Sequence, residues 1–165
     1  MNLLAAALFC LVCMLPAPAF VIAGSVDQFR GADTIVYHFG DSSVAPQYHR
    51  SYTITLTRTE AKIVVDSYGQ EINSGTVAIT SKQFDSIIRL LNTAKVRKSK
   101  LAQPNQGCTG GTSDSIKATK EGKILFSAFV YNCGGKGYGD LGGDVKTVKK
   151  RLRAFFPDIA ERLKS

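Results

Sequence analysis

Residues 52–68 read YTITLTRTEAKIVVDSY, and this stretch decides the fold class. Tyr52, Ile54 and Leu56 alternate with Thr53, Thr55 and Thr57, the period-2 pattern of a half-buried strand. A short turn, Arg58-Thr59-Glu60-Ala61, leads into Lys62–Tyr68, which has Ile63, Val64 and Val65 at its centre. So short a connection permits only antiparallel pairing, because parallel neighbours need a crossover of roughly a dozen residues.

Upstream, Thr34–Phe39 is β-branched and aromatic and reads as a partner strand; downstream, Thr76–Ile79 reads as a short fourth. A helix signal follows. Thr80 and Gln83 have the spacing of a capping box, and Ile79 and Phe84 that of a hydrophobic staple. Phe84, Ile87, Ile88 and Leu91 then recur at helical spacing, and the helix should end near Ala94. Residues 101–111 read as a loop, rich in Gly and containing Pro104. Ser113–Thr119 and Ile124–Tyr131 read as a hairpin turning on Glu121-Gly122, and the apolar second arm should be buried on both faces. Residues 133–143, CGGKGYGDLGG, read as a second loop. Asp144 then caps a helix carrying Val145, Val148, Leu152 and Phe155 on one stripe, and Pro157 begins a new turn before Ile159 and Leu163. The order predicts an α+β fold: an antiparallel sheet of about five to six strands, two helices packed on one face, and one disulfide.

Residues 1–19 are uncharged and end in Ala17-Pro18-Ala19. The apolar run Leu3–Leu15 is shorter than the roughly 20 residues of a spanning helix. It has the form of a cleaved signal peptide, although no Lys or Arg precedes it. The expectation is a secreted or periplasmic protein whose residues 20–165 form one globular domain without a transmembrane helix. Cys108 and Cys133 follow the leader, and an oxidising compartment favours a disulfide between them. They lie just beyond the open end of the Glu121-Gly122 hairpin, about one bulge out of register. Such a bridge stabilises by about 3 kcal/mol through loop entropy.

The net charge of +8 gathers in two blocks. Lys95, Arg97, Lys98 and Lys100 form the first; Lys146, Lys149, Lys150 and Arg153, with Arg151, Arg162 and Lys164 nearby, form the second. In an exported protein they nominate an anionic envelope component as partner, with nucleic acid ranked below it. Charge of this kind also simply solvates a helix face.

Several motifs fall short. Gly137-Tyr138-Gly139-Asp140-Leu141-Gly142 matches G-x-G-x-x-G by letter, but no second parallel strand follows to complete a dinucleotide-binding unit. Gly134–Asp140 resembles one calcium-binding nonapeptide repeat, with the Asp displaced and no recurrence. The same glycines, with Lys136, have the makings of an anion cradle, although Asp140 and Asp144 oppose it. In a symmetric hairpin His38 faces His49 and Phe39 faces Tyr48, which makes Tyr37, His38, Tyr48 and His49 a candidate ligand surface. Two histidines alone do not complete a metal site, and no cofactor is implied. There is no G-x-S-x-G, H-E-x-x-H or P-loop. The sequence therefore favours a non-enzymatic domain binding an anionic surface or a protein partner. An inhibitor or assembly factor presenting the disulfide loops, and a small extracellular hydrolase, remain as alternatives.

Overall fold

The structure is a computed structural model that describes residues 27–100 and 110–164. The leader, Cys108 and most of the first predicted loop lie outside the described residues.

Four strands open the chain: β1 (Thr34–Gly40), β2 (Ser51–Leu56), β3 (Glu60–Ser67) and β4 (Gln70–Ala78). Helix α1 (Ser81–Thr93) follows, then β5 (Arg97–Lys98). The second half contributes β6 (Thr112–Lys120), β7 (Lys123–Cys133), β8 (Lys136–Gly139) and β9 (Leu141–Gly142), then α2 (Val145–Arg153) and the single turn α3 (Ile159–Arg162). Seven strands form one antiparallel sheet in the order β4-β3-β2-β1-β6-β7-β8, and β5 pairs with β9 beside it. The α+β class is as expected. The strand count exceeds the expected five to six, and the helices number three rather than two.

Two type I′-like turns close hairpins among the expected strands. Glu121 and Gly122 both take positive φ and close β6–β7 as the sequence indicates. Tyr68 and Gly69 do the same between β3 and β4, so the fourth strand begins at Gln70 rather than Thr76. The excess comes from the predicted loop 133–143, where residues pair as β8 and β9, and from β5, the partner of β9.

One face of the sheet carries the core. Ile35 and Tyr37, Tyr52, Ile54 and Leu56, and Ile63 and Val65 alternate inward from β1, β2 and β3. Ile116 and Ala118 of β6 and Phe126, Ala128 and Val130 of β7 extend the same layer. Phe84, Ile87 and Leu91 of α1 and Val148 and Leu152 of α2 cover it, joined by Phe29 and Phe156. Each large side chain so buried stabilises by about 1.5–3 kcal/mol. The capping box of α1 forms as read: the Thr80 side chain accepts from the Gln83 N–H, and the Gln83 side chain accepts from the Thr80 N–H. Asp144 caps α2 by accepting from the Thr147 N–H at 3.0 Å.

The expectation that β7 is buried on both faces is corrected. Phe126, Ala128 and Val130 point into the core, while Ser127 and Phe129 alternate to the open face, where Phe129 is 53 % exposed. No described element covers that side of the sheet, and it carries mostly polar residues such as His38, Thr53, Ser115 and Lys117.

At the other edge the C-terminal turn is tied to β4. Arg162 donates to the Asn73 side chain at 2.7 Å and to the Ser74 carbonyl at 2.8 Å, and pairs with Asp158 at 2.8 Å. A Cβ on Gly75 would stand 2.7 Å from this guanidinium, so a larger residue there would push the end of Arg162 aside.

Candidate functional site

The sheet's inner face ends in a polar row. Tyr52 of β2 stands opposite Phe39 of β1, Phe39 opposite Asp114 of β6, and Asp114 opposite Val130 of β7. Asp114 shares its strand face with Ile116 and Ala118, so alternation carries a carboxylate into the edge of the core. It is buried there and held three ways. The Tyr37 hydroxyl donates to its Oδ1 in a short hydrogen bond. Lys149 of α2 donates to the same oxygen at 3.2 Å, and the Asn132 amide donates to Oδ2 at 3.2 Å.

Helix α2 closes over this row. The Lys149 ammonium also lies 3.7 Å from the centroid of the Phe39 ring, and the Arg153 guanidinium 5.8 Å from that of Tyr52. Both contacts are cation–π in geometry. Burial pushes the Tyr37 phenol far above its ordinary range, reinforced by Tyr52 and Asp114. Burial also raises Tyr52, opposed chiefly by the charge of Arg153. Both phenols therefore stay protonated at any physiological pH, which suits them to donate rather than to act as bases. The Tyr52 hydroxyl is buried without a hydrogen-bond partner among the described residues.

Three concavities adjoin the helix among the described residues, and two of them share Lys146 and Lys149. A cleft of about 370 Å³ lies between α2 and the β7–β9 end of the sheet. Its polar wall is Asp114, Asn132, Lys146 and Lys149; Val130, Leu141 and Val145 form an apolar floor, and the capping carboxylate Asp144 stands at its rim. A shallow groove of about 460 Å³ that shares Lys146 and Lys149 is lined, among the described residues, by Lys146, Lys149, Lys150 and Arg153. These four follow i, i+3, i+4, i+7 spacing, and α2 contains no acidic residue.

The structure also brings the first basic block next to the start of α2. Arg97 and Lys98 of β5 pair with Gly142 and Leu141 of β9, two residues before α2 begins. The Asp144 N–H donates to the Ala94 carbonyl at 2.8 Å, beside Lys95. Lys100 closes the same block at the limit of the described residues.

The candidate aromatic–histidine surface does not assemble. The β1–β2 register pairs His38 with Thr53 and Phe39 with Tyr52, so His38 does not face His49 and Phe39 does not face Tyr48. The reason is the loop between them. It spans residues 41–50, longer than the 40–47 that pairing His38 with His49 requires, and it is closed by the Asp41 carboxylate accepting from the Arg50 N–H at 2.9 Å and the Ser51 hydroxyl accepting from the Asp41 N–H at 3.0 Å. Tyr37 is fully buried on the core face, whereas His38 contacts the Thr53 hydroxyl at 3.0 Å on the opposite face. His49 is buried against the β3–β4 turn: it stacks on Tyr68 at 3.9 Å and accepts from the Tyr68 N–H at 3.2 Å. Tyr48 is left exposed. Of the glycines read as an anion cradle, Gly137 and Gly139 are engaged in strand pairing, opposite Asn132 and Val130, while Gly134 and Gly135 form the β7–β8 turn with positive φ.

Asp114, Asn132 and Tyr52 are site residues that sequence reasoning missed. Their signal was phase: Asp114 alternates with Ile116 and Ala118, and Tyr52 with Ile54, so both had to face the core. Among the described residues no three His, Cys, Asp or Glu side chains converge in a metal-binding group. No described helix is long and apolar enough to cross a membrane. Comparison with protein-family models, with curated proteins and with solved structures returned no match.

Proposed function

We propose that this protein is an exported, non-enzymatic domain that binds a polyanion through the basic face of α2. The observation that carries the reading is the groove lined by Lys146, Lys149, Lys150 and Arg153 with no carboxylate among them. Lys149 and Arg153 are anchored by their contacts with Phe39 and Tyr52, so part of the positive surface is pre-organised before any ligand arrives. Arg97 and Lys98, placed next to the start of α2 by the β5–β9 pair, extend it. Export follows from the form of residues 1–19, and a Cys108–Cys133 disulfide from their place after that leader.

Binding of inorganic polyphosphate tests the reading. With about four phosphate contacts, affinity should fall about a hundredfold between about 50 and 200 mM salt. The variant Lys146→Gln/Lys150→Gln/Arg151→Gln removes exposed charges and leaves Lys149 and Arg153 packed on their rings. It should lose most of the binding and the salt dependence while keeping its melting temperature. Retention of wild-type affinity by this variant would overturn the proposal.

A further inference from the structure

The cleft that shares Lys146 and Lys149 with the groove has a different chemistry from it. Small-molecule sites run from about 300 to 1,000 Å³ and combine an apolar lining with a few fixed polar groups. This cleft, at about 370 Å³, has both: the floor of Val130, Leu141 and Val145, and the Asp114–Asn132 pair above it. An ionised carboxylate offers about four acceptor sites. Tyr37, Lys149 and Asn132 occupy three, and Oδ2 keeps one. Asn132 gives one amide hydrogen to Asp114 and retains the other, together with its carbonyl oxygen.

Charge decides which ligand group can approach. An ammonium at Asp114 would stand beside Lys149, which already lies 3.2 Å from that carboxylate, and like charges would repel. An anion placed on Asp114 would meet a buried negative charge. A neutral hydroxyl meets neither penalty: it donates to Oδ2 and accepts from, or donates to, the Asn132 amide. The acid groups of the same ligand are taken by Lys146 and Lys149, which belong to both concavities.

We propose that the cleft holds one ring of an acidic saccharide, its hydroxyls on Asp114 and Asn132, its C–H face on Val130 and Val145, and its carboxylate toward Lys146 and Lys149. The inference rests on the polyanion reading of α2 and names the class of polyanion: a uronate-bearing glycan rather than a polymer of bare phosphates. The saccharide chain continues from the cleft along the basic groove.

The test titrates the full mature chain with trigalacturonate and, separately, with inorganic polyphosphate, following both by calorimetry. Asn132 is exposed, so Asn132→Ala leaves the fold intact. It should weaken trigalacturonate about tenfold and leave polyphosphate unchanged. Lys150→Gln should weaken polyphosphate more than trigalacturonate. In the wild type, trigalacturonate should shift the methyl resonances of Val130, Leu141 and Val145, and polyphosphate should not. If Asn132→Ala leaves trigalacturonate binding unaltered, or weakens both ligands equally, the saccharide proposal falls and the polyanion reading stands. If trigalacturonate binds through Asn132 while polyphosphate does not bind, the cleft stands and the general polyanion reading falls. If neither binds, both fall.

Discussion

Replacing Asp114 by alanine should expose how much the polar row beneath α2 depends on one carboxylate. Three donors lose their acceptor, and they do not lose equally. Tyr37 is fully buried, so its hydroxyl cannot turn to water; leaving it unsatisfied costs about 1–3 kcal/mol. The Lys149 side chain is 24 % exposed and can swing outward, so its loss adds less than about 1 kcal/mol. Asn132 is exposed and loses almost nothing. The expected cost is about 2–4 kcal/mol, a large part of the roughly 5–15 kcal/mol that holds a domain folded. Tyr37→Phe alone should cost about 1 kcal/mol, because Asp114 keeps Lys149 and Asn132. In the Asp114→Ala background the same change removes the stranded hydroxyl and should restore about 1–2 kcal/mol. Tyr37→Phe therefore acts with opposite signs in the two backgrounds, and a double-mutant cycle of urea midpoints at constant m-value measures the resulting coupling. Tyr52→Phe is the comparison: its hydroxyl is already buried without a hydrogen-bond partner among the described residues, so its removal should cost nothing and stabilise by about 1 kcal/mol. If Tyr37→Phe costs the same with and without Asp114, the hydroxyl is not held by that carboxylate and the reasoning is wrong.

Alkaline pH probes the same row from the other side. The folded Tyr37 phenol is raised above its unfolded value of 10.0, so the stability it carries is complete below pH 10 and declines as pH rises beyond it. The decline should reach about 1.4 kcal/mol per pH unit, and Tyr37→Phe should lessen it by that amount; parallel pH profiles for the two proteins would mean the phenol ionises in place. Gly143→Ala acts at the start of α2. Gly143 has φ +110, and a Cβ there would lie 2.6 Å from the Lys95 carbonyl oxygen and 2.8 Å from that of Ala94. Strain of about 2 kcal/mol should lower the thermal midpoint and loosen the β5–β9 pair, reducing polyphosphate affinity as well; an unchanged melt would show that the two carbonyls yield freely.

The parts of the fold that local chemistry encodes were legible. Thr80 and Gln83 specified the start of α1, Tyr52–Leu56 specified β2, and Glu121-Gly122 specified the β6–β7 turn. Strands held by tertiary pairing were not. Gly137, Gly139 and Gly142 have low strand propensity, and they are extended because β7 and β5 supply their partners. Asn73, Ser74 and Gly75 read as a break, yet they lie on an edge where Arg162 covers them. The apolar run of β7 suggested burial on both faces because composition cannot report that the second face has no covering layer among the described residues. The candidate site was half legible. The charges of α2 were visible, but only the structure shows that Lys149 and Arg153 turn back onto Phe39 and Tyr52 while Lys146, Lys150 and Arg151 face outward. The β1–β2 loop closed by Asp41 is longer than the sequence reading assumed, which shifted the register and separated the histidine pair.

The position of β1 at the centre of the sheet has a kinetic consequence. It joins two meanders drawn from opposite halves of the chain: β1–β4 assemble through short hairpins, and β6–β8 through others, but the ladder running from Thr34–Thr119 to Gly40–Ser113 must wait for both. Each doubling of loop length adds about 0.6 kcal/mol to closure, so zipping β1 onto β6 costs nearly 2 kcal/mol more than zipping it onto β2. That seam is the long-range step of highest contact order, and folding speed should be governed there. A chain arrested before it closes presents β1 and β6 as two unpaired edges, each the template for the other in a neighbouring molecule, so the centre of the finished sheet is where exchange of halves between two copies would begin.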